Sequence, residues 1–178
     1  MILLSIYISS GIHYLINSIP LAFIIFNIYL VLTFLIKRNL KLNLMLALCQ
    51  FTWILIVLTI LSITGILGGH FDFSLLTNGY VLYSLELFEE GITTATLLNL
   101  GLFIPYGFFS TIMFKKVRER WIYAILVGLI FTVTIECLQI FIGRFVQLED
   151  VLMNTLGTYI GYLLCMQVLR LKTKFYLL

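Results

Sequence analysis

Residues 121–161 read WIYAILVGLIFTVTIECLQIFIGRFVQLEDVLMNTLGTYIG. This stretch decides the fold, because it is apolar enough to sit in lipid and yet carries Glu136, Gln139, Arg144, Glu149, Asp150 and Asn154. Trp121 is a residue type that anchors helices at the membrane interface. Glu136 follows it by 15 positions, which at a helical rise of about 1.5 Å per residue places it about 22 Å deeper. A charge at the bilayer centre costs about 2.5–3.5 kcal/mol even on the gentlest scale, so Glu136 requires a compensating environment. Gln139 shares its helical face, and Gly143 continues that face one turn later. Asp150, Asn154, Gly157 and Gly161 follow at spacings of 4, 3 and 4, which align them on one stripe of a second helix. Gly157 and Gly161 form a small-xxx-small pair, the spacing that lets a neighbouring helix approach closely and that would press the polar stripe against it.

The rest of the chain has the same character. Of its 178 residues 62% are hydrophobic and only 11% charged, with a mean hydropathy of +1.12, outside the composition of soluble domains. Five runs are long and apolar enough to span a bilayer: about 16–36, 42–67, 91–114, 121–142 and 151–169. The expected architecture is therefore an all-α, polytopic membrane helical bundle, one integral membrane domain over residues 1–178. Pro20 is expected in the opening turn of the first span. The charge-free first 36 residues lack the basic start of a cleavable signal and read as a retained anchor. The segment from His70 to Glu90 is too apolar for a simple solvated connector and too short to span comfortably. An amphipathic helix lying along the interface is the expected form, and a lid over an outward cavity is the functional alternative.

Basic residues set the orientation. Lys37, Arg38 and Lys41 follow the first span, Lys115, Lys116, Arg118 and Arg120 the third, and Arg170, Lys172 and Lys174 the fifth. Since cytoplasmic loops are enriched in lysine and arginine, the N-terminus is expected outside and the C-terminus in the cytoplasm. Arg144 alone then faces outward, among Asp72, Glu86, Glu89, Glu90, Glu149 and Asp150. The net charge of +3 gives no reason to expect a nucleic-acid partner. Cys49, Cys137 and Cys165 lie in apolar runs without metal-ligand spacing and read as packing residues. No metal or cofactor site is expected. Gln50, alone in its span, is expected to make an interhelical hydrogen bond.

The third span adds Asn99 near its outer end, then Pro105 and Gly107. A proline inside a helix removes a backbone hydrogen bond and favours a kink. With the orientation above, Asn99, Glu136, Gln139, Arg144, Asp150 and Asn154 converge near the outer leaflet from separate helices. Intramembrane ionisable groups generally face a bundle interior or a wet cavity, so a polar, outward-opening site is expected. The plain alternative is that these groups only satisfy one another, with Arg144 pairing to Asp150 and Glu136 accepting from Gln139 or Asn99.

Two blocks of these residues resemble the VanZ-like membrane protein family. One is Asn99-Leu-Gly-Leu-Phe-Ile-Pro105-Tyr-Gly107-Phe; the other combines Glu136-Cys-Leu-Gln139, Gly143-Arg144 and Glu149-Asp150-Val-Leu-Met-Asn154-Thr-Leu-Gly157, followed by Gly161. Together they cover residues 95–165 of a core at about 91–169, while residues before about 90 match only in hydropathy. Gln147 and Glu149 stand where the family commonly carries aspartates, so a metal-dependent scheme would lose a ligand at Gln147. The namesake of the family is linked to resistance to the glycopeptide antibiotic teicoplanin. The resemblance implies a bacterial plasma-membrane protein of the cell envelope with a role in antibiotic protection.

The site residues suit a binding function. Arg144 offers a planar fork for a carboxylate or phosphate, and Glu136 and Asp150 can face an ammonium group or, if protonated, donate hydrogen bonds. The expected ligand is the polar part of an amphiphile, either a glycopeptide such as teicoplanin or a lipid-linked cell-wall precursor, with membrane lipids as surroundings. A homo-oligomer is permitted by the glycine stripe but not required. An intramembrane enzyme acting on a lipid headgroup is the alternative, with Glu136 or Asp150 as general base and Arg144 on a phosphate. No His-Glu-x-x-His or Gly-x-Ser-x-Gly pattern supports it. A small transporter is the third possibility. Cysteines placed at positions 99, 136 and 154 are expected to react with a water-soluble thiol reagent from one side of the membrane. Labelling of the three from opposite sides, or only by lipid-soluble reagents, would contradict the convergence.

Overall fold

The computed structural model describes residues 2–38, 43–77, 79, 81–88 and 91–175. Lys41, Glu89 and Glu90, which enter the charge argument, lie outside the described residues. The structure is an all-α polytopic bundle, and five of its helices are long and apolar enough to cross a membrane. It divides into two compact units, Met1–Ile63 and Thr64–Leu178.

The first unit is a hairpin of α1 (Ile2–Lys37) and α2 (Leu44–Ile63). Pro20 lies inside α1 rather than in its first turn, so the helix begins well before the expected start near residue 16. Membrane helices tolerate interior proline because side chains and local adjustment absorb the lost backbone bond. Asn43 starts α2 by accepting from the backbone N–H groups of Met45 (3.1 Å) and Leu46 (3.3 Å), the work of an N-cap. The two helices meet through small and polar groups. Ser18 lies 3.3 Å from Ser62 between side-chain oxygens, and Ala22 and Ile60 are fully buried. Gln50 donates to the Tyr29 hydroxyl at 3.0 Å, the interhelical bond expected of an isolated amide.

The second unit is built on α4 (Thr94–Met113), α6 (Trp121–Ile140) and α7 (Leu148–Phe175), with the short α5 (Lys115–Glu119) joining α4 to α6. Glu149 and Asp150 fall in the first turn of α7, where the helix dipole favours carboxylates. Pro105 sits within α4 without ending it. The contacts run in the same sense along α4 and α7 and in the opposite sense along α6, so α4 and α7 are parallel and α6 antiparallel to both. The short α3 (Ser74–Thr77) and β1 (Tyr83–Ser84) precede α4, and β1 pairs in parallel with β2 (Val146–Gln147).

Glycines determine how closely these helices lie. A Cβ on Gly157 would strike the Leu100 carbonyl oxygen of α4, and one on Gly161 the Ile104 carbonyl oxygen. Reciprocally, a Cβ on Gly107 of α4 would strike the Thr158 carbonyl oxygen of α7. From the third side, a Cβ on Gly128 of α6 would come within 2.8 Å of Thr158 Cβ. The small-xxx-small pair therefore meets α4 and brings backbone against backbone, as in close membrane helix pairs. At the level of this contact Phe103, Tyr106 and Phe131 join α4 to α6, with Tyr106 stacked on Phe131 at 4.6 Å between ring centres.

Burial is inverted relative to a soluble protein. Large apolar side chains such as Phe23, Ile130 and Leu163 are exposed, while Thr96, Thr111, Thr132, Glu136, Gln139, Asn154 and Thr158 are buried. Lipid receives the apolar exterior, and the polar groups find partners between helices. Replacing Gly161→Leu is expected to separate α4 from α7, since the obstacle is main chain and cannot change rotamer. The expected loss is about 1–3 kcal/mol or more, read as a lower unfolding temperature in detergent, whereas Gly101→Ala, which meets nothing within 4 Å, should change it little.

Candidate functional site

The polar residues gather at one end of the second unit, where α4 starts, α6 ends and α7 starts. The basic residues of α5 lie at the other end, beside the close of α4 and the opening of α6. At the site, Asn99 Nδ2 of α4 donates to Asp150 Oδ1 of α7 at 2.6 Å. One turn further along α7, Asn154 Nδ2 donates to Thr132 Oγ1 of α6 at 3.0 Å. One turn along α6 from Thr132, Glu136 accepts from the Gln147 backbone N–H at 3.2 Å. These residues form a continuous column, in which the carboxyl groups of Glu136 and Asp150 lie within electrostatic range of each other and both within range of Arg144. Glu136 and Asn154 are nearly enclosed, at 5% and 4% exposure.

The turn joining α6 to α7 explains Gly143 and Arg144. Gly143 has φ +68°, a left-handed conformation that glycine adopts without steric cost. Its N–H donates to Ile140 O at 3.2 Å and the Arg144 N–H donates to Gln139 O at 3.1 Å, the paired bonds of a Schellman helix end. Gly143 is thus a helix terminator rather than a further member of the polar face. The turn carries the exposed Arg144 side chain back over Gly65, where a Cβ would meet Arg144 Nη1 at 3.2 Å. Gln139 Nε2 reaches the same strand of chain, donating to Thr64 O at 3.2 Å.

The segment from Thr64 to Gly91 is a cap tied to this end rather than an amphipathic interfacial helix. Its regular elements among the described residues are only α3 and the two-residue β1. The Asp72 N–H donates to Phe141 O at 2.7 Å, and the Val146 N–H to Leu82 O at 3.0 Å. Asp72, outside the spans, accepts from the Ser74 N–H at 2.9 Å, and hydrogen bonding from Ser74 holds its pKa below the usual value. At the end of the cap, Glu149 uses both oxygens. Oε2 accepts from the Phe88 N–H at 3.1 Å and Oε1 from Thr96 Oγ1 at 3.0 Å. Phe88 has φ +56°, a conformation that costs a non-glycine residue about 1–2 kcal/mol, and the Glu149 bond helps to hold it. Thr93 completes the junction by capping α4, its side chain accepting from the Thr96 N–H at 3.2 Å.

The structure therefore brings Asn99, Glu136, Asp150 and Asn154 into one column, sets Gln139 and Arg144 beside it against Thr64 and Gly65, and places Glu149 at the junction of cap and α4. Pro105, Gly107, Gly157 and Gly161 lie deeper along α4 and α7. Sequence reasoning missed Thr132, Thr96 and Gly128. The first and last were visible as an extension of the Glu136–Gln139 stripe at spacings of four toward the start of the helix, but threonine and glycine are common in membrane helices and did not stand out. Gln147 contributes through its backbone, which its side-chain identity could not reveal. Among the described residues no group of three His, Cys, Asp or Glu side chains is arranged to hold a metal ion.

Glu149→Gln is expected to loosen the cap, because the amide supplies one acceptor where the carboxylate supplies two. Amide hydrogen exchange at Phe88 should quicken about tenfold or more, consistent with loss of a charge-assisted bond of about 1.5–3 kcal/mol. Exchange in the middle of α6 should not change. Gly143→Ala should lower stability by about 1–2 kcal/mol through the left-handed turn, read from the unfolding midpoint.

No curated protein and no solved structure matches the chain. A family model described as VanZ/LLP1 matches residues 62–170, which takes in the cap, the column and the close contact of α4 with α7. That match spans more than half of the 178 residues and extends the resemblance upstream from residue 95 through the cap, so the chain belongs to the VanZ/LLP1 family.

Proposed function

We propose that this VanZ/LLP1-family membrane protein binds the polar part of an amphiphile at the acid–amide column and thereby protects a bacterial cell from a glycopeptide antibiotic such as teicoplanin. Either the antibiotic or a lipid-linked cell-wall precursor would be the ligand. In this reading the bilayer is the bacterial plasma membrane, with the column toward the outside as the basic residues suggest. The observation that carries the proposal is the placement of Glu136, Asp150, Asn99 and Asn154 on three helices around one axis, inside a stretch that lipid surrounds. Helices held together only for structure could use apolar packing and glycine contacts there, without the cost of desolvating two carboxyl groups.

The amphiphilic character of the ligand follows from the surroundings. Large exposed apolar side chains on α6 and α7, among them Ile130 and Leu156, offer an acyl chain a lipid-filled path beside the polar column. Arg144, exposed at the rim, is positioned to meet an anionic part of the ligand through its guanidinium fork. Glu149 and Gln139 keep their places as supports of the cap, each already bonded within the second unit.

The test is the antibiotic susceptibility of cells producing the protein. Glu136→Gln, Arg144→Ala and Asp150→Asn, each confirmed to insert, are expected to weaken ligand binding about tenfold or more, the effect of losing one hydrogen bond to a charged group. Protection against teicoplanin should fall accordingly. Unchanged protection in all three variants would remove the proposal, as would a wild-type protein that gives no protection.

A further inference from the structure

At the column the nitrogen donors turn to protein acceptors: Asn99 Nδ2 to Asp150, Asn154 Nδ2 to Thr132, and the Gln147 N–H to Glu136. One acceptor is left over. Among the described residues Asn154 Oδ1 is enclosed without any partner. Asn154 is itself 4% exposed. It lies one turn beyond Asp150 on the same face of α7, and its bond to Thr132 sets it one turn along α6 from Glu136, so its amide is the floor beneath the two carboxyl groups. The other enclosed side-chain atom without a partner, Thr155 Oγ1, lies about 100° around the helix and takes no part. Buried acceptors are normally paired, so an unpaired one aligned with two carboxyl groups points to a ligand that brings donors.

We propose that the column receives a primary ammonium group carried by an amphiphile, its three N–H donors directed to Glu136, Asp150 and Asn154. An ammonium has three donors and no acceptor, which suits an unpaired carbonyl oxygen aligned with two carboxyl groups. A phosphate or carboxylate would meet carboxyl oxygens and carbonyl oxygens in the same place and find few donors. A quaternary ammonium would satisfy the charge but not the acceptors. The amine belongs either to a phospholipid headgroup of the ethanolamine kind or to an amphiphilic antibiotic or precursor bearing a free amino group. This inference rests on the reading of the column as an amphiphile-binding site and specifies the chemistry it recognises.

The full-length protein in phosphatidylcholine nanodiscs, whose lipid carries no N–H donor, can be titrated with dodecylamine and followed by calorimetry. Dodecyltrimethylammonium and dodecyl phosphate serve as the comparison probes. Dodecylamine is expected to saturate one site per chain and to bind about tenfold or more tightly than either. Glu136→Gln and Asp150→Asn, which keep the shape of the side chain, should each reduce that preference about tenfold. Asn154→Asp, which keeps an acceptor at the floor, should retain more of the binding than Asn154→Leu. Competition by added phosphatidylethanolamine would identify a lipid source, and competition by teicoplanin alone the antibiotic. Equal binding of the quaternary amine, tighter binding of dodecyl phosphate, or indifference to the isosteric substitutions would overturn the ammonium assignment. If dodecyl phosphate is preferred and the variants abolish both its binding and protection, the amphiphile reading stands while this inference falls. If dodecylamine binds as expected and the variants remove it without affecting protection, the reverse holds.

Discussion

Two parallel helices of the second unit touch main chain to main chain, and the rest of that unit depends on this contact. Gly157 and Gly161 admit the carbonyl groups of Leu100 and Ile104, Gly107 admits that of Thr158, and Gly128 of α6 closes on Thr158 from the side. In lipid no hydrophobic driving force separates helix from surroundings, so association relies on close packing and interhelical hydrogen bonds. A glycine seam is therefore more than a spacing device. It fixes the axial register of α4 against α7, and that register sets Asn99 opposite Asp150. The Gly128 contact with Thr158 does the same for α6, setting Thr132 opposite Asn154. Substituting any of these glycines disturbs the polar column from a distance.

The cost of placing polar groups in the spans is met in layers. Threonines along the seam return their hydroxyl groups to the carbonyl four residues earlier, as Thr111 does to Gly107 and Thr158 to Asn154. Asn99, Thr132 and Asn154 bond across helices. The exposed ends of α6 and α7 are finished by the Gly143 turn and by the cap, which bonds to the backbone at Phe141 and Val146 and to the side chains of Gln139 and Glu149. What this arrangement leaves unmet at the column, among the described residues, is the side-chain carbonyl oxygen of Asn154.

Much of the site was legible before the fold. Glu136, Gln139, Asp150 and Asn154 stand out because ionisable and amide side chains in an apolar run are rare and costly, and their three- and four-residue spacings place them on helical faces. Asn99 was legible by the same logic. Gln50 and Tyr29, in the first unit, met as an isolated amide would require. A glycine at helical spacing such as Gly143 looks like a face residue, and only the backbone angle shows that it ends the helix. The segment from His70 to Glu90 was expected as an interfacial helix because its composition is amphipathic. Its order comes instead from hydrogen bonds to Phe141, Val146 and the Glu149 side chain, all far along the chain, which no local pattern encodes.

The amino-acid sequence alone determined that this is an all-helical membrane protein with five apolar spans, that certain polar residues lie within them, and that glycines mark a close helix contact. Each of these follows from local chemistry: hydropathy over about 20 residues sets a span, and helical periodicity sets a face. Only the tertiary structure decided which helix the glycine seam meets, which donor each acceptor receives, and which acceptor receives none. Those are properties of register between separate segments, and register is set by where main-chain atoms can approach one another, a quantity that depends on both partners at once.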